Sequence, residues 1–243
     1  SPLECLNRFR AVNPEYRYFV GTYAGRLDPA AEGLMLFLFG DMVHKKDDYL
    51  VHDKTYTATF ALGVSTDTGD LLGLPLKTQT KVSHEPNEIV AKVDEEKIKK
   101  LSKELEEKIK NITTQTYPAY SSKPVDGKPL FAYAREGNEV ERPNRNVKIY
   151  SCDVLETRTI SSIDLLTRVG DVCSLVTGDF RRPEIIGAWS RITLPQTVLL
   201  ITLSISVSSG TYIRSMCEEV ESVFGAPAVL YSLVRMSIGN IKK

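Results

Sequence analysis

The sequence predicts an α+β protein with a mixed, mainly antiparallel central sheet flanked by helices. Strand-like and helix-like segments interleave without the regular β-α-β alternation of a doubly wound sheet. The glycine fingerprints of dinucleotide-binding and P-loop folds (GxGxxG and GxxxxGKS/T) are both absent, so those folds lose their main support. With 243 residues, of which 42% are hydrophobic, the chain has ample material for a core.

The first part of the chain contains one predicted helix and two predicted strands. Residues 2–11 carry three apolar side chains at helical spacing and begin with a proline, which suits a first helical turn. The apolar run 34–40 predicts a buried strand, and the β-branched and aromatic run 54–63 predicts another. Residues 65–73 are dense in Asp, Thr and Gly, which predicts a loop.

The later elements are predicted from periodicity and turn residues. Residues 94–110 repeat apolar side chains every three to four positions, which predicts a helix capped by its first aspartate. A shorter helix is expected to end at Gly137, and Gly210 opens a final helical region. Residues 147–155 and 198–207 have the composition of strands.

Charge, cysteine and histidine patterns exclude several classes of function. The 31 basic and 31 acidic side chains balance, so any RNA binding must come from a local basic face. The four cysteines, at positions 5, 152, 173 and 217, are too widely spaced for a disulfide framework or a zinc site, which predicts reduced, mostly buried thiols in a cytoplasmic protein. His44, His52 and His84 lack metal-binding spacing, so no metal is predicted. The apolar runs are far shorter than the ~20 residues of a membrane-spanning helix.

Asp28 is the first candidate for chemistry. It lies in the turn sequence RLDP, directly before the apolar run 34–40, with Arg26 two positions earlier. A carboxylate on a tight loop beside a strand can act on a ligand, but Asp-Pro also starts ordinary turns. From this residue alone, the ordinary turn is the favoured interpretation.

Further segments change that interpretation, because the sequence resembles the TruB family of RNA pseudouridine synthases at four places in the family's order. The matching segments are AGRLDPAAEGLMLFLFG (24–40), KTYTATFALGVSTDTGDLLG (54–73), YPAYSSKPVDGKPLFAYAREG (117–137) and SSGTYIRSMCEEV (208–220), followed by LVR (233–235). The GTYIR and YSSK…FAYAREG segments are the most specific, since GRLD also occurs in other branches of the same superfamily. The resemblance implies the pseudouridine-synthase fold and conversion of uridine to pseudouridine without a cofactor.

The resemblance also implies roles for three catalytic residues. Asp28 would start cleavage of the glycosidic bond, either by attack on the base or sugar or by stabilising developing charge. Arg214 would pair with Asp28 across the site and orient it. Tyr56 would stack on the uracil, and its phenol could take up a proton from the sugar. Without the resemblance, Tyr56 would be an ordinary aromatic residue of a strand.

Five further residues are expected to contact the RNA. Tyr212 and Leu233 match positions that line the uracil pocket in the family, and a uridine held in an RNA loop must be flipped out to reach such a pocket. Tyr23 stands where bacterial members commonly carry a histidine that helps to wedge the flipped nucleotide. Arg26 and Lys123 are the basic members of the predicted set.

Several basic clusters could form a rim that follows the RNA phosphates, although each cluster alone is more often a solvated surface. Its candidate members are Lys45, Lys46, Lys123, Lys128, Arg135, Arg142, Arg145, Arg181 and Arg182. If such a rim exists, RNA affinity should fall steeply with added salt.

The chain departs from the family pattern in three ways. The usual opening strand with its KPxG segment is missing, and no C-terminal domain of the PUA type follows, so we expect one catalytic domain over residues 1–243. The third departure is an expected insertion around residues 157–197, whose patterning predicts no particular element. Its GDFRRPEIIGAW motif could grip RNA through Arg181 and Arg182, or could pack around Trp189.

The expected protein is therefore a cytoplasmic, monomeric, cofactor-free synthase acting on the T-loop uridine of tRNA through its T-arm. Another RNA, including ribosomal RNA, is the alternative substrate. An RNA-folding or RNA-binding module with little catalysis is the alternative of a different class.

Overall fold

The computed structural model of the protein describes residues 2–76, 94–178 and 180–243. The helices are α1 (Pro2–Val12), α2 (Lys46–Leu50), α3 (Glu95–Lys110), α4 (Leu130–Arg135), α5 (Ser162–Leu175), α6 (Arg182–Trp189) and α7 (Cys217–Phe224). The strands are β1 (Gly21–Ala24), β2 (Glu32–Gly33), β3 (Leu36–Phe39), β4 (Lys54–Leu62), β5 (Thr114–Thr116), β6 (Pro124–Val125), β7 (Lys128–Pro129), β8 (Asn144–Asn146), β9 (Ile149–Ser161), β10 (Thr197–Val207), β11 (Ala228–Ile238) and β12 (Ile241–Lys242). Short 3₁₀ turns cover Pro14–Tyr16, Gly40–Lys45 and Ile213–Met216.

The central sheet has the strand order β12-β11-β4-β10-β9, and β2 pairs with β11 outside this path. The β2–β11 pairing is parallel and the other pairings in this sheet are antiparallel. The prediction of an α+β fold around a mixed, mainly antiparallel sheet is therefore confirmed.

Helices cover both faces of this sheet. Along β10 the side chains alternate with the period of two that strands impose: Leu199, Ile201 and Leu203 enter one core cluster, and Val198 and Leu200 enter the other. The first cluster is completed by α3 and α7, and the second by α5 and α6.

The 157–197 segment supplies the helices of the second face. Leu165 of α5 and Ile185 of α6 are fully buried, and the Trp189 indole at the end of α6 donates a hydrogen bond to the Gly73 carbonyl at 3.0 Å. This segment is thus an integral part of the core, with Trp189 as its anchor.

The β1–β3 hairpin lies outside the central sheet. The strand predicted over 34–40 is shorter than expected, and within β3 only Leu38 is buried, so the prediction of a buried strand is wrong. The reason is that β3 pairs with β1 alone, and its Phe37 and Phe39 rings pack on Phe9 of α1 instead of entering the main core.

The other predicted elements form near their expected positions. The helices predicted over 2–11 and 94–110 are α1 and α3, but the Asp94 side chain makes no capping hydrogen bond. The strands predicted over 54–63, 147–155 and 198–207 are β4, β9 and β10. The predicted loop over 65–73 and the helix before Gly137 are also present.

The thiols are unpaired, with three buried and Cys5 exposed. His84 lies outside the described residues. Within residues 2–76, 94–178 and 180–243, no helix is long and apolar enough to cross a membrane. The same ranges contain no group of three His, Cys, Asp or Glu side chains arranged to hold a metal.

Candidate active site

A cavity of about 700 Å³ opens where the loop before β2, the C-terminal part of β11, the start of β4 and the turn before α7 come together. The side chains of Asp28, Tyr56, Arg214, Leu233 and Arg235 all line it, although they come from distant parts of the chain. Its volume lies in the range of roughly 300–1,000 Å³ that is usual for ligand sites.

Asp28 and Arg214 form a two-point ion pair in this cavity. The Arg214 Nε donates to Asp28 Oδ2 at 2.7 Å and its Nη2 donates to Asp28 Oδ1 at 3.3 Å. A second carboxylate, Asp70, places Oδ2 3.5 Å from the same Nε. Burial alone would lower the pKa of Arg214, but the two carboxylates raise it above its usual value. The guanidinium therefore stays charged and lies within reach of two carboxyl groups.

Arg214 is held by backbone carbonyls as well as by carboxylates. Its Nη1 donates to the Thr68 carbonyl at 2.6 Å and its Nη2 to the Tyr120 carbonyl at 3.2 Å. Tyr212, two residues before Arg214, is fixed by the Gln115 amide, which accepts from the Tyr212 backbone N–H at 2.9 Å and donates to its carbonyl at 3.1 Å. These contacts leave the guanidinium one orientation.

Asp70 belongs to a loop that is held together by hydrogen bonds among its own residues. Its Oδ1 accepts hydrogen bonds from the Thr68 hydroxyl at 2.8 Å and from the Leu72 backbone N–H at 3.0 Å. Burial raises the pKa of Asp70, and the nearby Arg214 opposes that shift. The loop sequence TDTGD thus places a second, buried carboxyl group beside the Arg214 guanidinium.

Arg235 holds the loop that carries Asp28 through hydrogen bonds to backbone carbonyls. The Arg235 side chain is fully buried and donates to the carbonyls of Leu34 (2.8 Å), Gly25 (3.3 Å) and Arg26 (3.4 Å). Gly33 of β2 allows this part of the chain to lie close to the β11 backbone. Its φ is +107°, and a Cβ there would lie 2.4 Å from the Arg235 carbonyl oxygen.

Tyr56 lies on β4 directly opposite Arg235 on β11. Burial raises the pKa of the phenol, the Arg235 charge and hydrogen bond oppose that shift, and Asp28 adds to it. The hydroxyl is therefore neutral at physiological pH and can exchange a proton within the cavity. Lys54, two residues earlier, lines the same cavity, and burial together with Arg235 lowers its pKa to about 8.

The predicted RNA-contacting residues divide into two groups. Arg26, Tyr212 and Leu233 line the cavity, whereas Tyr23 and Lys123 are absent from its described lining. The Lys123 ammonium lies 5.5 Å from the centre of the Tyr117 ring, and the Tyr117 ring contacts the Tyr212 ring edge-on, with the centroids 5.7 Å apart. Lys123 is thus linked to the cavity wall through one intervening ring.

Tyr23 lies in the β1–β3 hairpin. Its register partner is Phe37, and the Lys46 ammonium lies 5.5 Å from its ring centre. Tyr23 is thus paired with one member of the predicted basic rim. Of the other rim candidates, Arg135 and Arg181 line the cavity, and Arg182 is exposed.

Two residues of the site, Asp70 and Arg235, were not predicted as site residues, and a third, Arg181, was predicted only as a candidate for RNA contact. Asp70 and Arg235 stand within the matched segments TDTGD and LVR, so those motifs contained a signal for them. Arg181 comes from the 157–197 segment and pairs with Asp67 at 2.9 Å. The motif that contains Arg181, GDFRRPEIIGAW, is compatible by sequence with gripping RNA or with packing in the core. In the structure the motif's Arg181 reaches the cavity and its Trp189 is buried in the core.

Comparison with known proteins assigns the chain to a family. The family described as TruB family pseudouridylate synthase (N terminal domain) matches residues 20–171. The chain belongs to the TruB family.

Curated relatives extend the likeness over most of the chain. It is 31% identical over 219 residues to tRNA pseudouridine synthase B of Ralstonia pickettii (strain 12J), a match that covers 90% of this chain and 54% of the relative. It is likewise 31% identical over 219 residues to the protein of the same name from Burkholderia pseudomallei (strain K96243), covering 90% of this chain and 53% of the relative. The chain thus spans about half the length of these relatives.

A more distant likeness is to a chain in a crystal structure of a Cbf5-Nop10-Gar1 complex. It has 19% sequence identity and a TM-score of 0.47, and it covers 96% of this chain and 44% of that chain. The α+β fold is established by the strand pairings and the family match.

Proposed function

We propose that this chain is the catalytic part of an RNA pseudouridine synthase that isomerises the T-loop uridine of tRNA. The observation that carries the proposal is the Asp28–Arg214 ion pair beside the Tyr56 phenol inside one cavity. Membership of the TruB family supports the reaction, and the relatives named tRNA pseudouridine synthase B support tRNA as the substrate.

The reaction breaks the bond between N1 of uracil and C1′ of the ribose, turns the base, and joins C5 to C1′. The atoms of the substrate are conserved, and one proton moves from C5 to N1 overall. In this site Asp28 starts the cleavage of the glycosidic bond, with its carboxylate oriented by two hydrogen bonds from Arg214. Arg214 also balances the negative charge of the Asp28 carboxylate in the site.

Tyr56 and Leu233 provide the contacts for the base. The Tyr56 ring offers a stacking face for uracil, and its neutral hydroxyl takes part in the proton transfer. Leu233 lines the same cavity and adds apolar surface to it. A uridine taken from a folded loop loses its stacking, which costs a few kcal/mol, and contacts of this kind offset that cost.

The RNA backbone is expected to follow the basic side chains at the cavity mouth. Arg26 is exposed and lines the cavity, and its Nη1 donates to the Ser122 hydroxyl at 3.3 Å. The Lys123 ammonium and the Arg145 guanidinium carbon lie 5.5 and 5.7 Å from the centre of the Tyr117 ring. We expect these side chains to contact phosphates, which position RNA without reading its sequence. The monomeric state and cytoplasmic location inferred from the sequence stay predictions.

The test is chemical mapping of pseudouridine after incubation with a T-arm hairpin and, separately, with a ribosomal RNA fragment. The wild-type protein should modify the T-loop uridine, and Asp28→Asn should abolish the product. Asp153→Asn, which removes an exposed carboxylate of β9, is the matched control and should leave the product unchanged.

Other outcomes would contradict the proposal in distinct ways. Product on the ribosomal fragment alone would keep the reaction but replace the substrate. Tight binding of the hairpin without product from any form of the protein would favour an RNA-binding or RNA-folding module.

A further inference from the structure

The 157–197 segment borders the proposed active site as well as the core. Val176, Thr177, Phe180 and Arg181 follow α5 and line the cavity that contains Asp28. The same segment is anchored in the core, because Trp189 is buried and its indole donates a hydrogen bond to the Gly73 carbonyl. The wall that these residues form is therefore held in place by the core.

Arg181 joins this wall to two other loops. Its Nη1 donates to Asp67 Oδ2 at 2.9 Å, and its guanidinium carbon lies 4.9 Å from the centre of the Tyr120 ring. The Tyr120 hydroxyl donates to the same Asp67 oxygen at 3.0 Å. The three side chains thus form a closed triad, in which each member contacts the other two.

The two loops held by the triad are the loops that hold Arg214. Thr68, directly after Asp67, offers its carbonyl to Arg214 Nη1 at 2.6 Å. Tyr120 offers its own carbonyl to Arg214 Nη2 at 3.2 Å. Fixing Asp67 and Tyr120 relative to each other therefore fixes two of the acceptors that orient Arg214.

From this geometry we infer that Arg181 is a positioning residue, which acts through the Asp67 and Tyr120 loops to align Arg214 with Asp28. The inference rests on the proposed function for its kinetic consequences. A direct phosphate contact by Arg181 is less favoured, because Asp67 already neutralises the guanidinium and the Arg181 side chain is only 20% exposed. The 157–197 segment thus contributes to alignment of the ion pair as well as to the core.

The experiment compares Arg181→Ala with Arg182→Ala. Both variants remove one positive charge from the same segment, but Arg182 is exposed and does not line the cavity, so it is the matched control. Arg181→Ala should lower kcat on the T-arm hairpin about 10-fold, since the alignment of Arg214 is lost. It should change KM less than about 3-fold, because the lost charge is already paired with Asp67 and does not attract RNA. Arg181→Lys, which keeps a cation beside Asp67, should recover at least half of the lost rate.

Two spectroscopic readouts separate alignment from folding. Trp189 is the single tryptophan of the chain, so its fluorescence reports whether the 157–197 segment stays packed. Its emission maximum should be the same in the wild type and both alanine variants. The Nε–Hε NMR resonance of Arg214, assigned with Arg214→Lys, reports the 2.7 Å bond to Asp28 without any RNA, and it should move in Arg181→Ala only.

Each other outcome has a defined meaning. A rise in KM with a salt dependence reduced by about one phosphate contact, and an unmoved Arg214 resonance, would overturn the inference in favour of phosphate binding. Equal behaviour of Arg181→Ala and Arg182→Ala in every readout would also overturn it. If the wild type modifies no RNA but the Arg214 resonance still moves in Arg181→Ala, the proposed function fails and the positioning role stands.

Discussion

Asp28 and Asp70 share the guanidinium of Arg214 but differ in access to solvent: the Asp28 side chain is 32% exposed and the Asp70 side chain 8% exposed. Both residues line the cavity, and Asp28 is the more accessible of the two. This asymmetry supports the reacting role proposed for Asp28 and leads to different expectations for the two asparagine variants.

We expect Asp28→Asn to lower kcat at least ~10³-fold, because it removes the more accessible of the two carboxylates, the one proposed to react with the substrate. Asp70→Asn should lower kcat about 10-fold and the free energy of unfolding by about 1–3 kcal/mol, since the amide still accepts at Oδ1 but presents a donor to Arg214. Single-turnover rates and urea denaturation measure both effects. Equal kinetic losses in the two variants would contradict the assigned roles.

Arg214→Ala should destabilise the protein as well as inactivate it. Two carboxylates, one of them buried, lose their cation, and removing one partner of a buried pair costs about 3–5 kcal/mol. Arg214→Lys should recover part of the stability and little of the activity, because an ammonium cannot reproduce the two hydrogen bonds to Asp28 together with those to two carbonyls. Urea denaturation midpoints with unchanged slopes measure the stability difference. An alanine variant as stable as the wild type would exclude the buried pair as a structural element.

Arg235 gives an independent test of how the Asp28 loop is held. Arg235→Lys leaves at least two of the three carbonyls it serves without their donor, and each unsatisfied buried group costs ~1–3 kcal/mol. We expect the free energy of unfolding to fall by about 3 kcal/mol. The rate should fall as well, since the carbonyls belong to the segment that carries Asp28. A matched control is Arg158→Lys on the exposed part of β9, which should change neither quantity.

The central elements of the fold could be predicted because their sequence patterns are regular. Strand β4 is rich in β-branched and aromatic residues, and α3 repeats apolar residues every three to four positions. Strand β11 was not predicted, because register shifts at Leu230/Ser232 and Arg235/Ser237 break the alternation that identifies a strand. Helix α5 was also missed, although Ser161 and Asp164 form a capping box at its start.

The residues of the candidate site also differ in whether the sequence could predict them. Asp28, Tyr56 and Arg214 could be chosen because each stands in a motif with a recognisable order of residues, and the structure brings the three together in one cavity. Arg235 acts through hydrogen bonds to backbone carbonyls, which leave no trace in the residue types of their acceptors. Arg181 could not be placed, because its contact with Asp67 joins segments 114 residues apart, and only the tertiary structure brings them together.

The Tyr56 hydroxyl should contribute to the chemical step more than to binding. The ring of Tyr56→Phe still stacks on uracil, so KM should change little, whereas loss of a proton-transfer group typically costs about 10²–10⁴-fold in kcat. Single-turnover kinetics on the T-arm hairpin measure the rate, and fluorescence anisotropy measures binding. Tyr150→Phe, on the exposed side of β9, is the control and should behave as the wild type. A large loss of affinity with an unchanged rate would make Tyr56 a binding residue only.

Lys54 should make stability depend on pH in the alkaline range. Burial, with the charges of Arg235 and Arg145 and against that of Asp53, lowers its pKa from 10.5 to about 8 in the folded protein. Between these two values the unfolded chain binds more protons than the folded chain, so the free energy of unfolding rises with pH. At pH 7 both states are protonated, and the folded state then bears the full cost of the buried charge.

The pH dependence can be isolated by comparing wild type with Lys54→Met. This variant loses the hydrogen bond to the Leu50 carbonyl, which lowers stability by a similar amount at every pH, but it also loses the titrating group. From pH 8 to pH 10 the wild type should gain on the order of 1–2 kcal/mol relative to Lys54→Met, measured by urea denaturation at each pH. Lys99→Met, on the exposed face of α3, should follow the wild type throughout. Parallel curves for wild type and Lys54→Met would mean that the Lys54 ammonium has its ordinary pKa in the folded protein.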